Sequence, residues 1–141
     1  TLEHASETMR PGVLPRIVAE ASASANRISG GAFDAIGVDH DLAMTFTRGT
    51  QTREVGYLSE GTKDVAYISL RRALSGALFG GRRPPLIYDE SFARVDEERL
   101  GRILAMLSAP DADGAQSIVL TCRRLESELA AALPGVTRIR L

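Results

Sequence analysis

The chain has 141 residues, 44% of them hydrophobic and 25% charged, with a formal net charge of −1. That balance fits one globular domain able to bury its own core, and it excludes both the global basic excess of a nucleic-acid binder and an acidic tail. One cysteine, Cys122, rules out an internal disulfide and suits a reducing compartment, and no apolar run approaches the ~18–20 residues of a membrane helix. The sequence opens Thr1-Leu2-Glu3-His4, with no initiator methionine and no signal-peptide pattern, which predicts a piece of a longer cytoplasmic protein.

Residues 1–11 are polar and are expected to be poorly ordered. From Val13 to Ile28, apolar residues recur at Val13, Leu14, Ile17, Val18, Ala21, Ala25 and Ile28, which is helical spacing, with Pro15 in the first turn. Ser29-Gly30-Gly31 should stop that helix, because glycine accepts the left-handed conformation just past a helix end. Residues 1–30 therefore read as a tail and helix, such as the end of a coiled-coil arm, although the stretch is too short to show a sustained heptad. Residues 31–141 read as the lobe that follows.

Ala35 to Val38 and Leu42 to Thr47 flank Asp39-His40-Asp41 and predict a β-hairpin, with Leu42, Met44 and Phe46 alternating against Ala43, Thr45 and Thr47. Arg48 to Glu54 reads as a polar loop. A helix is predicted from Thr62 to Phe79, facing inward with Ala66, Leu70, Ala73, Leu74, Ala77 and Leu78, and is broken by Gly80-Gly81-Arg82-Arg83-Pro84-Pro85. Leu86-Ile87-Tyr88 is a short buried strand. Asp96 is placed to cap a helix from Glu97 to Ser108 with Leu100, Ile103, Leu104 and Leu107 inward. After a turn-rich loop from Ala109 to Gln116 come a strand over Ser117 to Thr121, a helix over Leu125 to Leu133 and a last strand over Val136 to Leu141. Strands alternating with helices predict an α/β fold with a mainly parallel sheet flanked by helices.

Two motifs carry chemistry. The apolar strand ends in Asp89-Glu90, which places two carboxylates just beyond its carboxyl edge, where open α/β sheets bind ligands. One carboxylate, usually through water, suffices to hold Mg2+ against nucleotide phosphates, and the second can polarise an attacking water. Alone, the pair reads more simply as the start of a surface loop, because an apolar run ending in Asp-Glu is common. Upstream, Ser59 and Gly61 stand where the second helix begins. Its unsatisfied N–H groups and positive dipole end suit an anion, glycine lets the backbone approach, and the serine hydroxyl can donate to phosphate. The plainer alternative is a capped surface helix, and Glu60 must point its charge elsewhere if phosphate binds.

Taken together, hairpin, serine–glycine turn, helix, strand with Asp-Glu, short loop, helix and strand resemble the C-terminal lobe of an ATP-binding-cassette ATPase head of the SMC and RecN type, part of the P-loop NTPase class. Leu58-Ser59-Glu60-Gly61-Thr62 looks like the signature motif, Leu86 to Glu90 like the Walker B strand, and Ser91 to Asp96 like the D-loop. Val119-Leu120-Thr121-Cys122-Arg123 is similar to the strand and switch segment. The resemblance runs from Arg27 to Leu141, and its nearest flavour is the bacterial AAA-type SMC-like family. It implies that Asp89 holds Mg2+, that Glu90 is the general base for ATP hydrolysis, and that Ser59 and Gly61 reach the γ-phosphate of ATP on an opposing head. It implies that Asp96 couples the two sites. The partners it implies are the phosphate-loop half of the same head and a second head in a homodimer, with DNA engaged indirectly in repair or chromosome maintenance and with no membrane.

The sequence departs from that family in two ways. Cys122 and Arg123 stand where the switch histidine is expected, so Arg123 either supplies the cation at the γ-phosphate or begins a solvated helix. No G-x-x-x-x-G-K-[ST] occurs, so the isolated chain is expected to bind ATP poorly and to be inactive without the other half. A degenerate head that dimerises but does not hydrolyse, and an unrelated α/β binding module, remain alternatives. His4 and His40 read as solvated surface, Cys122 as a buried inert thiol, and Arg71-Arg72, Arg82-Arg83 and Arg124 as solvated charge. Tyr57, Tyr67 and Tyr88 read as packed or rim residues.

Overall fold

A computed structural model describes residues 2–38, 43–79, 84–109 and 116–140, with side chains from Gly12 onward. Helix α1 spans Leu2–Ser29, so the segment expected to be a loose tail is helical. Its leucine, glutamates, alanine and methionine have good helix propensity, which an apolar count does not register. Pro11 and Pro15 lie inside α1, each removing one N–H from its ladder without ending it. The end falls where expected: Gly30 and Gly31 have φ of 66° and 81°, and Gly31 N–H returns to Asn26 O at 2.8 Å.

Strands β1 (Ala35–Val38), β2 (Met44–Arg48) and β3 (Gln51–Glu54) form an antiparallel sheet in that order. The hairpin's own turn, with Asp39, His40, Asp41 and Leu42, lies outside the described residues. Strand β3 replaces the expected polar loop. All four of its residues are exposed, so no alternation marks it, and it is held by its register with β2 across a two-residue turn with Gly49 at φ 56°. Ile17, Ala21, Ala25 and Ile28 are buried on one stripe of α1. That helix packs on α2 (Glu60–Leu78) and β1, and Ser22 Oγ accepts the Ile36 N–H at 2.9 Å.

Helix α2 is turned relative to the predicted face. Ala66 and Ala73 are buried as expected and Leu70, Leu74 and Ala77 are half-buried, but Leu78 is exposed while Val65, Ile68, Ser69 and Arg72 are buried. Arg72 is thus an interior residue, correcting the solvated reading. Tyr57 and Tyr67 are exposed, and of the three tyrosines only Tyr88 is core.

Strand β4 (Leu86–Asp89) pairs in parallel with β5 (Ser117–Leu120), and the crossover between them carries α3 (Glu97–Ser108). Leu86 and Tyr88 point into the core with Leu100, Ile103 and Phe92, whose ring tilts against Tyr88 at 5.4 Å. Helix α4 spans Arg124–Ala131. Val136 to Arg140, expected as a strand, is not one. Val136 and Ile139 are exposed, and among the described residues no strand lies beside them to pair with.

Candidate functional site

Burial alternates along β4, with Leu86 and Tyr88 inside and Ile87 and Asp89 outside, so Asp89 emerges at the carboxyl tip with an exposed side chain. Its register partner is Leu120, and the ladder continues one residue further, with Glu90 N–H donating to Leu120 O at 3.0 Å. Glu90 then adopts φ 45°, the one non-glycine residue with positive φ among those described. A non-glycine residue there costs on the order of 1–2 kcal/mol, so the surroundings must hold it. What holds it is the segment after β5: Glu90 Oε1 accepts the Cys122 N–H at 2.5 Å. That amide first and the Cys122 thiol second lower the Glu90 pKa below its ordinary value, against an opposing desolvation that outweighs the further lowering by the Arg123 charge. The same carboxylate pushes the Cys122 thiol up. Cys122 is exposed, which corrects the buried reading, and the adjoining acid rather than burial is the first cause of its reluctance to ionise.

The serine–glycine turn is also at the surface. Ser59 is the extended residue before α2, exposed, and its hydroxyl pairs with Thr62 Oγ1 at 2.9 Å instead of capping the helix. Thr62 and Lys63 N–H both return to Ser59 O at 2.9 Å. Glu60 is turned aside as the sequence required: its carboxylate meets Lys63 Nζ and Arg94 Nη1, each at 2.7 Å, and the Lys63 hydrogen bond is the main cause of its lowered pKa. Gly61 is needed for packing as well as for approach. A Cβ there would lie 2.6 Å from the Arg94 carbonyl oxygen.

Between strand and helix, residues 91–95 make a tight turn with Phe92 and Val95 buried and Val95 N–H on Phe92 O at 3.1 Å. Asp96 caps α3, accepting the Arg99 N–H at 2.9 Å. Arg123, expected at a phosphate or in solvent, is 33% exposed and is held by protein groups. Its Nη1 donates to Phe92 O at 3.1 Å and to Glu126 Oε1 at 2.8 Å, and Glu126 is only 1% exposed. Sequence reasoning missed Arg94, Asp64 and Glu126. The i,i+3 spacing of Arg123 and Glu126 was the readable signal for one pair, whereas Arg94 and Asp64 meet only in the fold. A cavity of about 260 Å³ opens between α2 and the tip of β4, lined in part by Asp64, Tyr67, Arg71, Tyr88, Glu90 and Arg94, with Arg71 stacked over the Tyr88 ring at 5.4 Å.

Asp89 and Glu90 thus stand at one end of the 91–95 turn, and Ser59, Gly61 and Asp96 at the other. Among the described residues no group of three or more His, Cys, Asp or Glu side chains converges on a point. One strand-tip carboxylate beside a second, already hydrogen-bonded, fits a magnesium ion that takes its remaining ligands from phosphate and water. It does not fit a protein-only metal cage.

No family model matches the chain. It is 30% identical over 111 residues to the uncharacterized protein YhaN of Bacillus subtilis (strain 168), covering 77% of this chain but only 12% of that protein. Among solved structures it is similar to one from work on the ATP-driven dimerization and DNA-stimulated activation of SMC ATPases, with a TM-score of 0.70 and 17% identity over 89% of this chain and 77% of that one. It is also similar to an Smc head bound to the C-winged helix domain of ScpA, with a TM-score of 0.66 and 18% identity over 82% of this chain and 37% of that one. A third is the Smc head with an extended coiled coil bound to the C-terminal domain of ScpA from Pyrococcus furiosus, at a TM-score of 0.65 and 17% identity, covering 83% of this chain and 30% of that one. Among the described residues no helix is long and apolar enough to cross a membrane. The chain has the α/β fold of an SMC-type ATPase head domain.

Proposed function

We propose that this chain is the C-terminal lobe of an SMC-like ATPase head, which binds and hydrolyses ATP at a head–head interface once the phosphate-loop half is present. The observation that carries the reading is the tip of β4, where Asp89 stands exposed and Glu90 is held at φ 45° by the Cys122 amide. Glu90 is ionised at neutral pH and one of its oxygens is fixed, which leaves the other to orient a water. Asp89 would hold Mg2+, which screens phosphate charge when bound. Ser59 and Gly61 would meet the γ-phosphate of the opposing head's ATP, with Glu60 already drawn off by Lys63 and Arg94. Asp96 would lie at the seam, and α1 would lead into the coiled-coil arm.

The outer face of β4–β5 supports a missing half. Parallel strands are normally covered on both faces, yet Ile87, Ile118 and Leu120 are 50%, 37% and 44% exposed. A homodimer of complete heads, soluble in the cytoplasm and acting on DNA through the arm in repair or chromosome maintenance, is the assembly this reading favours. A second reading, a head that dimerises with nucleotide but hydrolyses slowly, is favoured by Arg123, which stands at the expected histidine yet is engaged by Phe92 O and Glu126.

The test supplies the phosphate-loop half and measures ATP turnover and ATP-driven dimerisation for wild type and Glu90→Gln. Turnover lost with dimerisation kept supports hydrolysis at Glu90. Dimerisation without wild-type turnover supports the second reading, and neither activity refutes both.

A further inference from the structure

We infer that Arg94 is a positioning residue that locks the serine–glycine turn to the loop following the paired acids, so that both ends of the proposed nucleotide machinery move as one body. Its consequence for turnover rests on the proposed function, whereas the lock is geometric. Arg94 reaches back thirty residues to Asp64, with Nε on Oδ2 at 3.1 Å and Nη2 on Oδ1 at 2.7 Å, while Nη1 takes Glu60 Oε2 at 2.7 Å. Exposed ion pairs contribute little, but this one is forked, and its Asp64 partner is only 12% exposed. The backbone of the same residue closes on α2 as well, leaving no room for a Cβ at Gly61. Side chain and carbonyl of Arg94 therefore grip the first turn and a half of α2 together.

The loop's other end is fixed as well. Arg123 holds the Phe92 carbonyl, and its own position is set by the buried Glu126. Glu90, just before the loop, is tied to the Cys122 amide. A displacement of the segment after β5, where the second arginine sits, therefore has a continuous path through residues 92–94 to Gly61. The path consists of two guanidinium contacts and one backbone contact, and Arg94 is the only residue contributing to two of them. Lysine cannot reproduce the fork.

Two measurements test this, with Arg124→Ala as control because that side chain is 89% exposed and, among the described residues, pairs along α4 with Glu128. In amide hydrogen exchange on the nucleotide-free chain, Arg94→Ala should speed exchange roughly tenfold in residues 60–64 and 91–95 together, leaving α4 unchanged. A rise in one of those segments alone, a uniform rise, or none overturns the lock. With the phosphate-loop half supplied, Arg94→Ala should lower kcat about tenfold while KM stays within about twofold, and Arg94→Lys should fall between it and wild type. An unchanged kcat, or kcat lost only in proportion to thermal stability, overturns the positioning role. If the wild-type assembly turns over no ATP, the hydrolytic reading fails, and hydrogen exchange still decides the lock.

Discussion

Adding one methyl group at Gly61 and one at Gly101 should move stability in opposite directions, although both glycines lie in helices. At Gly61 the new Cβ would stand 2.6 Å from the Arg94 oxygen, 3.5 Å from its carbonyl carbon and 3.7 Å from Val95 Cα. A carbon–oxygen contact normally settles near ~3.3–3.6 Å, so backbone must retreat by roughly 0.7–1 Å. The loop that would have to yield is anchored by Arg94 and Arg123, so relief is not cheap. Forced overpacking costs about 1–3 kcal/mol, and alanine recovers less than ~1 kcal/mol of helix propensity at the second position of a helix, for a net loss of about 1–2 kcal/mol. Gly101 lies within α3 with nothing within 4 Å of its added Cβ, so Gly101→Ala should gain about 0.5–1 kcal/mol. The variants should differ by about 2–3 kcal/mol, or roughly 6–12 °C in Tm for a chain this size, read by far-UV circular dichroism with urea titration as a check. A Gly61→Ala chain as stable as Gly101→Ala would refute the close approach of α2 and residue 94.

Asp96→Ala should cost about 1 kcal/mol in urea unfolding by removing the α3 cap, with Asp96→Asn nearly neutral. Because the folded pKa of Glu90 lies below its ordinary value of 4.5, its stabilisation is complete above that value and is lost as pH falls through the folded one. Glu90→Gln should therefore flatten the acid limb of a stability–pH curve, and an unchanged limb would show that the Cys122 contact is not made in solution. Cys122, exposed yet with its thiol pKa raised by Glu90, should alkylate more slowly at pH 7.5 than a free cysteine and faster in Glu90→Gln. Titrated alone with ATP, the chain should show no submicromolar binding, which fluorescence anisotropy of a labelled nucleotide would reveal if it occurred.

Elements with a strong local signal were legible. Helix α3 matches its predicted bounds, because Asp96 is a capping residue and Leu100, Ile103 and Leu104 repeat at helical spacing. Strands β4 and β5 announced themselves as short apolar runs. What was hidden depends on partners distant in sequence. Strand β3 has only exposed residues and exists through its ladder to β2. The burial of Arg72 depends on how α2 is turned against its neighbours, and its serines at 69 and 75 are small enough to face inward where leucines were expected. The exposure of Asp89 and Ser59 followed from pattern alone, whereas the packing of the half-buried Gly61 against residue 94 did not. Nor did their connection, because Arg94 reads as one more arginine in a turn until the fold sets Asp64 beside it.

Whether the proposed head would hydrolyse ATP quickly or slowly turns on whether Arg123 is free to leave its place. Its partner Glu126 is almost wholly buried, and among the described residues Glu126 Oε2 has no hydrogen-bond partner, so Oε1 carries the side chain's satisfaction through Arg123. Breaking the pair leaves the buried Glu126 carboxylate without its donor, at a cost below the ~3–5 kcal/mol of a fully buried pair because Arg123 is 33% exposed to water. A charge-assisted hydrogen bond to a phosphate returns about 1.5–3 kcal/mol, and Phe92 O would lose its donor as well. In the proposed assembly, loss of both the Glu126 and the Phe92 contacts weighs against Arg123 leaving for a phosphate. The segment after β5 touches the acid pair through the Cys122 amide on Glu90 and reaches the loop that carries Arg94 through Arg123 on the Phe92 carbonyl.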